Sequence, residues 1–502
     1  MRTICQSWGR IKQLGGVTFL AGAGMVACLF ALVCLPDLRG QNVVVFLSYF
    51  LLAGAAYTIA VGRLKCDCIP LTVLWGFAVL FRLTVLATSP SLSDDIYRYI
   101  WDGHLMNQGV NPYLEPVDSP TLDVYAIPER DQVNHAWMAS PYLPVAQAYF
   151  AVITWISPGS TRAFQISAVL LDAVTGLLVM ILLGQKGIRS RSALIYLWNP
   201  LVVVEFAQGA HVDAFMIFLI MVSLYFALQD TLDDRKRSRW LNASVITLAA
   251  ATLTKGLPIL LVPLLLRRWG WRRLVVYGIS LAVPCTLFAA GAGWGMSGSL
   301  DGKGLFGALR IYLSYWNFNS SLYHWLEVGL TGYQTAGGVP VEVVGEGVIR
   351  FARLLTSGVL ALIVLWVGLF AWRRDNYDSG NWVERDRRFL RLATIPLGAY
   401  LLLTPTLHPW YVTLLLPVIP FLYPAENEKA SIGRFIWPWI TLSITVALSY
   451  LTYIDPSNPR EVAPVRWVEY YPLYFLLVWA AWPRFMGSLN WISRQGGRSQ
   501  SV

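Results

Sequence analysis

The chain has 502 residues, of which 56% are hydrophobic and only 14% charged; an ordinary soluble protein carries about 25% charged residues, so a water-soluble domain, which could not cover its surface with so few, is excluded. The net charge of +10 does not signal nucleic acid, because the Lys and Arg residues stand at the ends of apolar runs and not in patches interleaved with aromatics. Apolar runs that are continuous and not alternating exclude a membrane β-barrel, and six cysteines without paired spacing give no disulfide framework.

In chain order, Arg2, Arg10 and Lys12 precede a first apolar run over residues 16–36. A second follows at once over 43–61, so the first is read as an uncleaved helix and not as a signal peptide. Further segments begin near residues 70, 163, 192, 212, 240, 257, 273, 348, 388, 409, 433 and 468. The expected fold class is an all-α polytopic transmembrane bundle of about 12–14 membrane segments, a single integral membrane domain over residues 1–502.

With the N-terminus inside, the cytoplasmic loops are 63–65, 186–191, 235–239, 267–273, 373–391, 429–434 and the tail from 484. Together with the three N-terminal residues they hold 27 of the 39 Lys and Arg, the bias that sets orientation. The apolar stretch 141–157 is read as an interfacial helix, since a span there would move Lys186, Arg189 and Arg191 to the opposite face. Two long non-cytoplasmic loops follow, 89–162 and 295–347, each rich in aromatics, glycine and proline.

Under this topology all five histidines (His104, His135, His211, His324 and His408) fall on the outer side. So do Asp94, Asp95 and Asp102, the hairpin tip with His211 and Asp213, and Lys255, which lies between two half-length segments beside Gly256 and Pro258. Ionisable residues at membrane depth or at its edge are costly and point to function. Each also has a plainer reading. Asp94 could cap a helix starting at Asp95, Lys255 could snorkel to the interface, and His211 and His408 could simply hydrogen-bond at hairpin tips. Arg82, inside an apolar run, could pair with a carboxylate of the first loop or contact a phosphate. Outside the cytoplasm there is no nucleotide pool, and the chain has no Gly-rich phosphate loop behind a strand. An enzyme there must draw an activated group from the lipid phase, and polyprenyl-phosphate sugars are such donors.

Residues 93–113, SDDIYRYIWDGHLMNQGVNPY, resemble the first outer loop of the GT-C superfamily of glycosyltransferases. The likeness is to the bacterial polyprenol-phosphate-mannose-dependent mannosyltransferases of family 87 and to the catalytic subunit of the first GPI mannosyltransferase. Ordered matches continue through Leu197-Trp198-Asn199-Pro200, Thr254-Lys255-Gly256 with Pro258 and Pro263, and Leu407-His408-Pro409-Trp410-Tyr411. One departure is Tyr142-Leu143-Pro144, where relatives often have Tyr-Pro-Pro.

The resemblance implies an inverting transfer of a hexose, mannose first, from a polyprenyl-phosphate sugar to a glycan, glycolipid or protein acceptor. It also implies a catalytic aspartate in the first outer loop, carried to Asp95 first and Asp94 second. Lys255, Arg98, His211, Asp213, His408 and Tyr97 are then the residues expected around the donor phosphate and sugar. No cofactor is implied, although a divalent metal could bridge Asp94, Asp95 and the phosphate. The expected setting is the inner (cytoplasmic) membrane, multi-pass, with the site facing the periplasm or exterior. The alternative is a transporter or flippase for a lipid-linked sugar; transporters place substrate residues near the midplane between repeats, whereas here no repeat is visible and the charges sit at helix ends.

Overall fold

The computed structural model describes residues 16–229, 233–296, 301–336, 341–374 and 382–496; Arg2, Arg10 and Lys12, counted above with the positive face, lie outside them. Among the described residues the regular elements are all helices, with Phe318 and Thr406 forming an isolated bridge. Five stretches are long and apolar enough to cross a membrane: Gly40–Arg63, Thr161–Gln185, Leu257–Ala292, Gly345–Arg373 and Ala430–Ile454. Shorter apolar helices, among them Val17–Val33, Leu71–Leu86 and Asp213–Ala227, pack between them. Leu354 is 72% exposed and Leu362 69%. Leucines left this bare on long helices need lipid as their solvent, which also agrees with the low charge.

The stretch Leu257–Ala292 is two legs. At Gly270 the backbone takes φ 70°, ψ 167°, a conformation that a residue without Cβ adopts at little cost. The helix breaks there and returns alongside Asp234–Thr252: Arg273 donates to Asn242 and Ser238 at one end, and Cys285 packs near Leu253 at the other. Lys255 and the Gly270 turn are thus held at opposite ends of the bundle.

Several charges inside the bundle are paired, as a poorly hydrated interior favours. Arg82 reaches Asp172 at 2.5 Å, and Tyr196 donates to the other oxygen of that carboxylate at 2.6 Å; Arg82 is a packing residue of the bundle, paired outside the first loop. At the end where the positive loops gather, the fully buried Asp386 accepts from Lys186 at 2.8 Å and from Arg268. Nearby Arg391 grips Glu428 with two bonds of 2.8 and 2.6 Å. Burial alone would raise that carboxyl, but the arginine bonds hold it at about 2.

The loop 89–162 folds against the other end. Its helices Asp95–Asn107 and Pro144–Ile156 touch so closely that a Cβ on Gly103 would lie 2.5 Å from the Phe150 carbonyl oxygen. The second helix has 13 residues, too few to span, and ends on the exposed Trp155 and Ile156, as an interfacial helix should. Asp102 faces inward between the two helices, accepting from Ser140 at 2.5 Å and Gln147 at 3.0 Å. The Asn-Pro-Tyr run anchors the loop to the bundle: Asn111 donates to the Phe288 carbonyl at 2.8 Å, and the Tyr113 hydroxyl donates to the Tyr142 carbonyl at 2.5 Å. The second loop contributes the helices Gly307–Tyr315 and Leu322–Ala336.

Candidate active site

At the loop-covered end lies a cavity of about 490 Å³, walled by the first loop, the turn at 254–257, the helix Gly307–Tyr315, the Val341–Arg374 helix and the segment 403–411. Asp95 is the first residue of its helix, and its carboxylate is partly open to the cavity at 22% exposure. Oδ1 accepts from the Asn134 amide at 3.2 Å, and Oδ2 stands 3.9 Å from His211 Nδ1. Asp94 occupies the cap position but makes no capping bond. Its carboxylate is instead taken by Arg39, with bonds of 2.5 and 3.1 Å, and the Arg39 guanidinium lies over the Tyr453 ring. Two carboxylates adjacent in sequence therefore have different surroundings: Asp94 is paired with an arginine, and Asp95 meets an amide and a buried histidine.

Across the cavity, the Lys255 ammonium donates to both oxygens of the buried Asp213, at 3.0 and 2.9 Å, and sits 4.2 Å from the Tyr411 ring centre. A carboxylate pair and a ring face fix an otherwise mobile side chain at the wall. His408 lies in a ladder of rings: it stacks on Phe318 at 4.7 Å and on Trp410 at 4.5 Å, and Trp410 stacks on His211 at 4.0 Å. Burial pushes His408 down to about 3, so it is neutral at physiological pH. Leu257, Leu309, Leu313 and Leu360 form an apolar part of the wall, beside Arg353, Thr356 and Ser357, and Leu313 is 60% exposed.

Asp94, Asp95, Arg98, Lys255 and His408 line one cavity, together with His135. Arg98 does so with three of its five N–H donors committed: it is buried and donates to the carbonyls of Asn134, His135 and Met138 at 2.7, 2.8 and 3.2 Å. It shapes the loop that carries Asn134. His211 and Asp213 lie behind the wall, fully buried, each touching a cavity residue. Tyr97 packs against Ile127 within the loop. His104 bonds the Tyr125 carbonyl and His324 bonds Arg466, both outside the cavity. Among the described residues no group of three or more His, Cys, Asp or Glu could hold a metal ion, and Arg39 already counters Asp94.

Sequence reasoning passed over Arg39, Asn134 and Glu205, and met Tyr411 only as part of a matched run. Glu205 had a signal, being a lone acid inside the apolar run LVVVEFA. His135 and Ala210 take φ of 51° and 52°, a strained conformation for residues with a Cβ that tends to cluster at functional sites. They immediately follow Asn134 and precede His211, the two neighbours of Asp95.

The family described as alpha-(1->6)-mannopyranosyltransferase, N-terminal domain, matches residues 14–271, a stretch that includes Asp94, Asp95, Glu205, His211, Asp213 and Lys255. The chain is similar to alpha-(1->6)-mannopyranosyltransferase A of Mycobacterium tuberculosis, at 22% identity over 431 residues, 76% of this chain and 75% of that protein. It is also similar to the protein of the same name from Corynebacterium glutamicum, at 25% identity over 236 residues, 44% and 46% of the two chains. No solved structure matches the sequence.

Proposed function

The chain belongs to the alpha-(1->6)-mannopyranosyltransferase family, and on that premise we propose that it moves mannose, with inversion, from a polyprenyl-phosphate donor to a hydroxyl of a mannose-containing acceptor. The observation that carries this reading is the composition of one cavity. Asp95, its carboxylate partly exposed, and an anchored ammonium, Lys255, line the same cavity, and Leu309 and Leu313 give its wall an apolar stretch. A base, a phosphate counter-charge and a path for an isoprenoid tail are what a lipid-phosphate sugar requires.

In this mechanism the acceptor enters from the side of Asp94 and its hydroxyl hydrogen-bonds to Asp95. The carboxylate takes the proton as the oxygen attacks the anomeric carbon. The carbon–oxygen bond to phosphate breaks with its electron pair on the departing polyprenyl phosphate. Lys255 meets the growing negative charge, where a fixed cation in a water-poor site contributes most. Asn134 holds the Asp95 carboxylate in line, and Asp213 with Tyr411 aims the ammonium. The cavity faces the non-cytoplasmic side, with the Lys/Arg-rich end of the bundle in the cytoplasm. The whole chain acts as one membrane domain, its loops 89–162 and 295–347 covering the site.

The test is to incubate protein purified in nanodiscs with a short α-mannoside and, separately, polyprenyl-phosphate mannose, polyprenyl-phosphate glucose, polyprenyl-phosphate arabinose and GDP-mannose. Mass spectrometry should find the acceptor extended by one hexose only with polyprenyl-phosphate mannose. Extension from GDP-mannose alone would overturn the donor assignment and the sidedness with it.

A further inference from the structure

Behind Asp95, on the side away from the cavity, four side chains stand in sequence. Asp95 Oδ2 is 3.9 Å from His211 Nδ1, His211 Nε2 is 3.3 Å from Glu205 Oε2, and the Tyr450 hydroxyl donates to both Glu205 oxygens at 2.9 and 3.1 Å. His211 and Glu205 are 0% and 1% exposed, in the middle of the apolar core. A carboxylate at that depth is costly without a strong partner. Neither ring nitrogen of His211 completes a hydrogen bond, so the imidazole sits between two acids with unspent capacity on both sides. Catalytic hydrogen bonds commonly tighten when substrate binds.

The ring is held there by close packing. It stacks on Trp410 at 4.0 Å. A Cβ on Gly209 would lie 2.8 Å from His211 Cδ2, so only glycine fits beneath it. The strained φ of Ala210 directs the turn, and Asn199 caps the short helix Pro200–Ala207 that carries Glu205, accepting from Leu201 and Val202.

We propose that Glu205 and His211 form a proton relay behind Asp95, in which His211 accepts through Nδ1 the proton that Asp95 removes from the acceptor hydroxyl. With Nε2–H directed at Glu205, the Nδ1 lone pair faces Asp95. Transfer converts neutral imidazole into imidazolium flanked by two carboxylates and restores Asp95 to its anionic form beside the departing phosphate. The proton passes back to solvent through Asp95 after the products leave. Glu205 and His211 are positioning residues, since neither touches the cavity. This relay rests on Asp95 being the base.

Other ionisable groups facing the relay are His408 across Trp410, the Lys255–Asp213 pair, and the hydroxyls of Tyr99 and Tyr450. Steady-state kinetics between about pH 5 and pH 8 on wild type, Glu205→Gln, Tyr450→Phe, His211→Gln and Asp95→Asn separate the roles. Glu205→Gln should lower kcat roughly 10- to 100-fold, leave the donor KM within about twofold, and move the acidic limb of kcat to lower pH, because the imidazolium loses an anionic partner. Tyr450→Phe withdraws a donor from Glu205, makes it a stronger acceptor and moves the limb to higher pH. It also keeps the test open if Glu205→Gln does not fold. An unmoved limb in these variants, or a His211→Gln protein with wild-type kcat, overturns the relay. Full activity in Asp95→Asn would instead remove the base itself, so the two failures are distinguishable.

Discussion

Replacing Lys255 by methionine keeps most of the length of the side chain and deletes its charge, which has one partner in the structure and a second on the proposed mechanism. One is Asp213, 1% exposed and bonded to the ammonium at 2.9 and 3.0 Å; the other, on the proposed mechanism, is the donor phosphate. Removing one member of a buried pair costs about 3–5 kcal/mol because the other is left charged and dry. Lys255 is 20% exposed, so the lower end of that range applies. A hydrogen bond to a charged group contributes about 1.5–3 kcal/mol, which is roughly 10- to 150-fold in donor affinity. The single Lys255→Met variant should therefore lose both stability and donor affinity. The double variant Lys255→Met/Asp213→Asn should regain most of the stability, since no unpaired charge remains, while its donor KM stays at least about 10-fold high. Thermal unfolding and donor KM, measured on the same nanodisc preparations, separate the two partners. A double variant with wild-type donor KM would show that Lys255 serves only Asp213 and has no phosphate role.

At the opposite end of the bundle, Asp386→Asn withdraws the carboxylate shared by Lys186 and Arg268. It should cost about 3–5 kcal/mol of stability with kcat/KM of the folded fraction within about twofold; a selective rise in donor KM would contradict the separation of the two ends. His408 is held neutral at about 3 against an ordinary 6.5. Between those values the unfolded chain binds a proton there that the folded chain does not, so this contribution to stability is present above about pH 6.5 and lost as the pH falls towards 3. His408→Gln should flatten the decline of Tm with acidification, and an unchanged slope would refute the assignment. For orientation, Thr121→Cys and Arg237→Cys, both at exposed positions, are placed in otherwise Cys-free chains. An impermeant maleimide should label the first on intact cells and the second only after lysis, and the reverse pattern would invert the proposed sidedness.

The bundle was legible because a bilayer makes one demand everywhere: each span must be apolar over its length and carry its charges at its ends. The segments expected near 257 and 273 follow from the basic run at 267–273 between them, and the structure supplies the hinge at Gly270. The place of Asp95 was legible from its run of sequence, SDDIYRY, and Lys255 from its position between half-length segments. The differing surroundings of the two aspartates were not, because they depend on Arg39, more than fifty residues away, reaching Asp94, and on Asn134 reaching Asp95. The same holds for Arg98, which reads as a phosphate ligand in sequence but spends three of its donors on backbone carbonyls that only the folded loop brings near. Glu205 and His211 share one turn, but residues 95 and 410 join them through tertiary packing alone, so no spacing rule could have assembled the set; the lone acid in an apolar run was the one local sign.

The account stands or falls on Asp95, and its most direct test is single-turnover mannose transfer from polyprenyl-phosphate mannose by purified Asp95→Asn, with Tm and donor binding measured on the same preparation. General-base help is typically worth about 10²–10⁴ in rate, and asparagine keeps the size and the Asn134 contact region while removing the base. The rate should fall at least about 100-fold, with Tm and donor binding near those of wild type. A folded Asp95→Asn protein that transfers mannose at the wild-type rate would contradict the account.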